Sequence, residues 1–136
     1  DFETLVLRDC TAPFIKNKDM GETIKLLDKK NAHAVFGVYR QHFNPYFNMF
    51  ELNSSGFLKL SKTKETRPRS RQEAPPIYQM TGLDTYNVDK FLKYQKIILP
   101  KILPYEISPE TGIMIDTELE FKTVEMIIQK KLFKNF

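Results

Sequence analysis

The first forty residues contain two short β-prone runs separated by a segment of helical periodicity. The first run, Thr4–Leu7, is unbroken, which is typical of a strand buried on both faces, and we expect it to be a central parallel strand. The second run is Ala34–Tyr39. Between them, apolar residues recur at helical intervals, which predicts a helix over about 18–30 with Asn17 as its N-cap. The pattern indicates a strand–helix–strand unit of an α/β protein, with a right-handed crossover.

The middle of the chain predicts a β-hairpin followed by an exposed connection. Phe47–Leu52 and Phe57–Leu60 are β-prone and flank a cluster of turn-forming residues, Asn53–Gly56. From Ser61 to Pro76 the composition changes to mainly lysine, arginine, serine, threonine and proline, which do not build a core. We therefore expect a hairpin and a long surface loop.

The remaining part of the chain predicts short elements before a final helix. We expect a strand at Ile77–Met80, a helix at Val88–Tyr94, an extended segment at Leu103–Ile107 and a turn at Pro109–Gly112. Ile113–Ile115 is apolar and predicts one more strand, which leads directly into the last helix.

The last helix has the clearest local signal. Thr117–Glu120 matches a capping box, and the apolar residues that follow at helical spacing predict a helix over about 117–132. Asp116 lies where the preceding strand meets the positive end of the helix dipole, a position that suits a carboxylate binding a hard cation such as Mg²⁺. The alternative is that Asp116 or Thr117 only caps the helix.

Composition limits the class of protein. The chain has 136 residues, of which 41% are hydrophobic and 12% aromatic, and this fits one domain with a core and excludes disordered and collagen-like classes. No apolar stretch approaches the roughly 20 residues of a membrane span, so we expect a soluble protein without membrane association. The single cysteine, Cys10, cannot form an internal disulfide, which favours a reducing compartment, the cytoplasm. The net charge of +4 fits an anionic ligand and is mild for a nucleic-acid-binding protein.

The local motifs argue against a glycine-rich nucleotide-binding loop and a histidine metal site, and they leave the role of one basic segment undecided. The five glycines are scattered, so neither a P-loop nor a dinucleotide-binding fingerprint is present. The two histidines, His33 and His42, do not have metal-ligand spacing. Lysines and arginines cluster between Lys62 and Arg71, where the sequence is compatible both with a solvated loop and with a carboxylate-binding site.

Several stretches match, in order, the motifs of one enzyme family. They are Leu7–Phe14, Ala34–Val38, Pro45–Asn48 with Gly56–Leu58, Arg71–Pro75 with Tyr78 and Thr81–Gly82, and Ile115–Phe121. The last stretch is the most specific, because it is close to an Ile-Asp-Thr-Glu-Leu-Asp-Phe signature. Over about residues 4–132 the chain resembles the acylneuraminate cytidylyltransferases, which activate sialic acid and related nine-carbon sugar acids as CMP-sugars.

The resemblance implies a fold and an assembly. The fold would be an α/β, Rossmann-like three-layer nucleotidyltransferase fold, here partial, with a parallel or mixed sheet and a protruding β-hairpin dimerisation arm. Residues 1–136 would be a single partial nucleotidyltransferase domain, with the dimerisation hairpin and basic loop inserted at 43–76. The family's N-terminal half, which makes most contacts to CTP, has no counterpart here, so we expect the natural start upstream of Asp1. The implied assembly is a homodimer in which the hairpin brings Arg71 to or near the partner's site.

The resemblance also implies a reaction in nucleotide-sugar biosynthesis. A cytidylyltransferase of this kind would transfer CMP from CTP to a sugar acid: the anomeric hydroxyl attacks the α-phosphorus and pyrophosphate leaves. Asp116 would be the catalytic residue and would hold Mg²⁺, and Arg71 would bind the anionic substrate. The other substrate-binding residues would be Asp9, Thr11, Gln72, Gln79 and Thr81.

Departures from the family pattern keep two alternatives open. Asp9 stands where the family commonly has Gln, Thr81 where it has Asn, and Met114 where it has the first Asp of an Asp-x-Asp pair. These residues favour a divergent or truncated non-catalytic relative that acts as a sugar-nucleotide-binding or dimerisation module. A nucleic-acid-binding domain that uses Lys62–Arg71 is the third hypothesis. No stacking platform or recognition helix supports it, and we expect no nucleic-acid partner.

Overall fold

The computed structural model of the chain describes residues 2–133, which form two compact units. One unit runs up to Tyr39 and resumes at Met80, and the other is Arg40–Gln79. In chain order, the elements are β1 (Thr4–Arg8), α1 (Asn17–Lys30), β2 (Ala34–Gln41), β3 (Phe50–Leu52), β4 (Leu58–Leu60), β5 (Ile77–Asn87), α2 (Val88–Tyr94), β6 (Ile102–Glu106) and α3 (Glu118–Gln129). Among the described residues, no helix is long and apolar enough to cross a membrane.

Four strands form a mixed sheet in the order β1-β5-β2-β6. β1 is antiparallel to β5, whereas β2 is parallel to β6. β3 and β4 pair with each other as an antiparallel hairpin. The expected α/β class with a mixed sheet is therefore confirmed, and the hairpin lies where the sequence predicts it.

The position expected for the first strand is wrong. In the described part of the chain, β1 lies at the edge of the sheet and is antiparallel to its neighbour, with Thr4 opposite Asn87 and Arg8 opposite Leu83. Its apolar side chains do contact two separate cores, because Leu5 packs against the cluster that contains Phe36 and Val6 packs against the cluster that contains Leu83. The unbroken apolar run reports contacts on both faces of a strand and carries no information about how many neighbours the strand has.

The cap expected for the first helix is also wrong. Asn17 is the first helical residue, and Lys16 occupies the N-cap position in an extended conformation. The backbone N–H of Lys16 donates to Oδ2 of Asp19 at 3.0 Å. An acidic side chain in the first turn thus satisfies the backbone donor at the N-cap, a role that the sequence analysis did not consider for Asp19.

Most of the shorter elements match their predictions. α2 has the expected bounds, Val88–Tyr94, and is capped by the Asn87 side chain, which accepts from the backbone N–H of Lys90 at 3.0 Å. The expected strand at Ile77–Met80 is the beginning of the longer β5, and the expected extended segment near Leu103 is β6.

The segment before the last helix differs from its prediction. Ile113–Ile115 is irregular and not a strand. Ile113 and Ile115 pack against the core that contains Val124, while Met114 packs on a different cluster. The segment therefore buries apolar side chains on two sides with only isolated backbone bonds, such as the one from Ile115 N–H to Thr11 O at 2.9 Å.

The last helix is shorter than expected at both ends. Thr117 is its N-cap and α3 ends at Gln129, three residues before the expected end. Lys131 has a left-handed φ of 49°, and Leu132 N–H donates back to Ile127 O at 3.1 Å. This closing turn stops the helix although apolar residues continue at helical spacing.

The Arg40–Gln79 unit has almost no core of its own. Its buried residues are Asn44, Pro68 and Ala74. The hairpin turn is held by Oδ1 of Asn53, which accepts from the backbone N–H groups of Ser55 and Phe57. Most apolar side chains of the two strands and their turn are exposed, namely Phe50, Leu52, Phe57 and Leu58, and Leu60 is half-buried.

Candidate functional site

Asp9 and Thr11 form a tight turn directly after β1. Oδ1 of Asp9 accepts from both the backbone N–H and the hydroxyl of Thr11, each at 2.9 Å. These two bonds, the backbone one first, hold the pKa of the Asp9 carboxyl below its usual range. The turn is fixed to β5 by Asp9 N–H, which donates to Gly82 O at 2.7 Å. The structure thus brings two of the predicted substrate-binding residues together and keeps the carboxylate ionised.

Gly82 permits this close approach of the turn to β5. Its φ of +72° lies in the left-handed region, and a Cβ added there would lie 2.5 Å from Cβ of Asp9. Asp84, two residues further along β5, has a buried Oδ1 with no hydrogen-bond partner in the described part of the chain. Burial raises the pKa of the Asp84 carboxyl, and the charge of Asp9 adds to that effect. Asp84 is not among the site residues predicted from the sequence, where the available signal is an isolated carboxylate in a β-prone run.

Thr81 occupies a buried position in the sheet. Its side chain is fully buried, and its hydroxyl donates to Gly37 O at 2.8 Å. A Cβ at Gly37 would lie 2.9 Å from Oγ1 of Thr81, so a glycine is needed for this contact. The Thr81 hydroxyl is therefore engaged within the protein, and its predicted contact with substrate stays a prediction.

Asp116 lies immediately before the N-cap of α3 and is exposed. Thr117 caps the helix, since its Oγ1 accepts from Glu120 N–H at 3.3 Å. Oε2 of Glu120 accepts from the Asp116 N–H and from the Thr117 hydroxyl, each at 2.9 Å, and these bonds, the first above all, lower the pKa of Glu120. Of the two capping alternatives, the structure selects Thr117. The Asp116 carboxylate takes no part in the cap, and its neighbour Ile115 is bonded to the loop of Thr11.

Few side chains near Asp116 are placed to act as metal ligands. Within residues 2–133, no group of three or more His, Cys, Asp or Glu side chains is placed to hold a metal ion. Asp116 offers one carboxylate, and the thioether side chain of Met114 offers no oxygen. One protein carboxylate fits the coordination of Mg²⁺ when substrate phosphates and waters supply the other ligands.

A cavity of about 370 Å³ lies in the Arg40–Gln79 unit. Basic and amide side chains line most of it, and two prolines line one wall. The lining residues are Arg40, Gln41, His42, Asn44, Arg71, Gln72, Pro75, Pro76 and Ile77. The structure thus brings Arg71 and Gln72 together. Gln79 is linked to the lining, because Nε2 of Gln41 donates to Oε1 of Gln79 at 2.7 Å. Arg40, near the end of β2, and His42, just after it, are not among the site residues predicted from the sequence, because no local motif marks them.

Two solved structures share the fold of this chain. A CMP:2-keto-3-deoxy-manno-octonic acid synthetase complexed with CTP aligns with 96% of this chain and 64% of its own chain, at a TM-score of 0.65 and 14% identity. A 4-diphosphocytidyl-2C-methyl-D-erythritol synthase from Anaerococcus prevotii aligns with 93% of this chain and 59% of its own, at a TM-score of 0.61 and 14% identity. The chain therefore shares the fold of these two synthases, and the α/β fold class inferred from the sequence is confirmed.

Two curated proteins are similar to this chain in sequence. The CMP-N,N'-diacetyllegionaminic acid synthase of Campylobacter jejuni is 30% identical over 131 residues, which are 96% of this chain and 54% of the relative. The post-translational flagellin modification protein B of Campylobacter coli is 25% identical, with the same coverage. The chain thus spans about half the length of these relatives. No protein-family model matches it. The resemblance to cytidylyltransferases of sugar acids, first seen in the motifs, is confirmed.

Proposed function

We propose that the protein takes part in activating a sialic-acid-like sugar acid as its CMP derivative. In this reaction the anomeric hydroxyl oxygen forms a bond to the α-phosphorus of CTP, the bond from that phosphorus to the pyrophosphate oxygen breaks, and the hydroxyl proton is lost. The observation that carries the proposal is the likeness to a CMP-N,N'-diacetyllegionaminic acid synthase along 96% of this chain. The cytidylyltransferase fold supports it.

In the unit that contains the main sheet, we assign the catalytic role to Asp116. Its carboxylate is exposed and is left out of the helix cap, so it is available to hold Mg²⁺. Mg²⁺, when bound, would neutralise phosphate charge during the transfer. Asp9 and Thr11 would contact the substrate, with the Asp9 carboxylate held in one orientation by the two bonds from Thr11. Thr81 would act by fixing β5 through its bond to Gly37.

In the Arg40–Gln79 unit, we assign binding of the acid to Arg71. It lines the cavity together with Gln72, whose amide suits sugar hydroxyls. Gln79 supports this lining through its bond with Gln41. The charge and amide content of the cavity match a carboxylic acid that carries hydroxyl groups.

We also propose that the β3–β4 hairpin forms a homodimer. An isolated two-stranded hairpin is marginally stable in water, and this one leaves Phe57 71% and Leu52 69% exposed. A patch of such side chains is typical of a protein interface. We place the protein in the cytoplasm, where CTP is available and where the exposed thiol of Cys10 would stay reduced.

A non-catalytic binding or dimerisation module is the second candidate. The observation that favours it is the single carboxylate at the proposed metal position, since Met114 adds no ligand.

Pyrophosphate release from CTP by the complete protein tests the choice between the two candidates. With Mg²⁺ and N-acetylneuraminate as the sugar acid, the enzyme hypothesis requires release that depends on both. Binding of the sugar acid without any release of pyrophosphate would instead select the binding module.

A further inference from the structure

Two arginine side chains line the cavity of the Arg40–Gln79 unit without an acidic partner. Arg40 lies near the end of β2, and Arg71 lies in the loop before β5. Neither forms an ion pair or a hydrogen bond with any of the residues 2–133. Two unpaired guanidinium groups on one small cavity leave a local excess of positive charge, which a bound anion would compensate.

The walls of the cavity are held by hydrogen bonds within the protein. Asn44 is only 6% exposed, and its Nδ2 donates to Pro75 O at 2.8 Å, which joins the two segments that line the cavity. Its Oδ1 accepts from Tyr46 N–H at 2.9 Å. Oε1 of Gln41 accepts from His42 N–H at 2.7 Å. The amides of Asn44 and Gln41 are thus used in holding the walls, while Arg40, Arg71 and Gln72 make no hydrogen bond within the described chain.

The shape of the cavity selects among anions. Its volume of about 370 Å³ is near the lower end of small-molecule sites, which suits one monosaccharide-sized acid better than a nucleoside triphosphate. Pro75 and Pro76 have no backbone N–H, so this wall cannot provide the run of amides that cradles phosphates. The planar forks of two arginines match the two oxygens of a carboxylate.

We infer that Arg40 is a second carboxylate-binding residue in this cavity, and that together with Arg71 it makes the site select a sugar acid over a neutral sugar. The inference rests on the proposed function for the identity of the ligand, a sugar acid. Arg40 would contact the carboxylate and take no part in the transfer of CMP, so its effect is on the choice and affinity of the acid.

Calorimetric titration of the complete protein with N-acetylneuraminate and with its methyl ester tests the inference. The two probes differ at the carboxyl group alone, which is uncharged and carries a methyl group in the ester. We expect the acid to bind about tenfold or more tightly than the ester, since charge-assisted hydrogen bonds of this kind are worth about that factor or more. Arg40→Gln should remove most of the preference, and Arg40→Lys should retain part of it, because a lysine keeps the charge without the fork.

Arg67→Gln is the matched control, because Arg67 is an exposed arginine of the same unit that does not line the cavity. It should leave the preference for the acid unchanged. Equal binding of acid and ester, no binding of the acid at millimolar concentration, or an unchanged preference in Arg40→Gln would each overturn the inference. Pyrophosphate release by the complete protein is measured separately. If no pyrophosphate is released, the proposed enzyme function is wrong, but the role of the cavity in binding the acid is unaffected. If pyrophosphate is released, the proposed role of Arg40 still depends on the binding measurements.

Discussion

The two units bury their apolar side chains in opposite ways. The described residues of the unit that contains the main sheet form four buried clusters, and Leu83 and Tyr86 are 0% and 1% exposed. The Arg40–Gln79 unit leaves Leu52 and Phe57 mostly exposed and is held by turns and side-chain hydrogen bonds. One region therefore derives its stability from packing, whereas the other leaves its apolar and charged side chains exposed to solvent.

The largest expected effect on stability comes from the unit that contains the main sheet, which we call the packed unit. Tyr86→Ala removes a ring that lies 5.6 Å from the Phe36 ring and 5.1 Å from the Phe91 ring, and it should lower the free energy of unfolding by about 3–5 kcal/mol. Leu52→Ala in the hairpin is the control and should change that free energy by less than about 0.5 kcal/mol in the monomer. Urea unfolding followed by circular dichroism measures both. Similar losses in the two variants would contradict the contrast between the units.

Asp116→Asn separates activity from stability within the packed unit. In the complete protein, Mg²⁺-dependent CMP transfer should fall by about two orders of magnitude or more, because an amide lacks the charge that a hard cation requires. The free energy of unfolding should change by less than about 1 kcal/mol, since Thr117 provides the cap.

Glu118→Gln is the control for Asp116→Asn. Glu118 is exposed and is paired with Lys122 at 3.4 Å, so this variant should keep full turnover. Unchanged turnover and unchanged Mg²⁺ dependence in Asp116→Asn would leave Asp116 without the proposed role.

Phe57→Ser tests what the exposed surface of the other unit is for. If the hairpin forms the dimer, the loss of this ring should weaken association roughly tenfold or more while leaving the unfolding of the monomer unchanged. Sedimentation at tens of micromolar should show a dimer for the wild type and a shift toward monomer for the variant. Leu132→Ser, at a 56% exposed position in the packed unit, should leave association unchanged. A wild-type monomer at these concentrations would refute the dimer.

The smallest effect is a pH dependence in the packed unit. His33 is buried, its Nδ1 lacks a partner among the described residues, and burial, followed by Lys101, Lys90 and Lys93, lowers its pKa from 6.5. The unfolded chain therefore binds the proton first, and stability should fall as the pH decreases below about 6.5, by at most about 1.4 kcal/mol per pH unit. Urea midpoints between pH 7.5 and 5.5 measure this slope, which His33→Gln should reduce. An identical slope in the variant would assign the dependence to other groups.

The sequence predicted the bounds and caps of single elements better than it predicted which strands pair. The bounds of α2 and the Thr117 cap of α3 depend on residues within one helical turn, and both agree with the sequence. The neighbour of β1 could not be predicted, because β5 pairs with it from about eighty residues away in sequence. The strand predicted at Ile113–Ile115 was wrong for a related reason. The segment packs against two different cores, and this gives it an apolar pattern that resembles a strand.

The candidate site was predictable only where a motif carried it. Asp116 lies within a specific signature, and Arg71 and Gln72 lie within an Arg-Gln-x-x-Pro stretch. Arg40 and Asp84 have no such context. Arg40 becomes significant because the chain returns at Pro75 to close a cavity beside it, and Asp84 because Gly82 brings Asp9 close to the sheet. Both depend on contacts between segments that are far apart in sequence.

The Asn44–Pro75 hydrogen bond has a consequence for how such a protein can diversify. It joins the two segments that line the cavity, and the β3–β4 hairpin lies in the stretch of chain between the two bonded residues. Lengthening a loop is inexpensive, at about 0.6 kcal/mol for each doubling of its length. The hairpin can therefore gain, lose or exchange residues over evolution, or in a chimaera, while the walls of the cavity stay in place. Under the proposed function, the surface that binds the partner and the cavity that binds the acid would thus change independently within forty residues of chain.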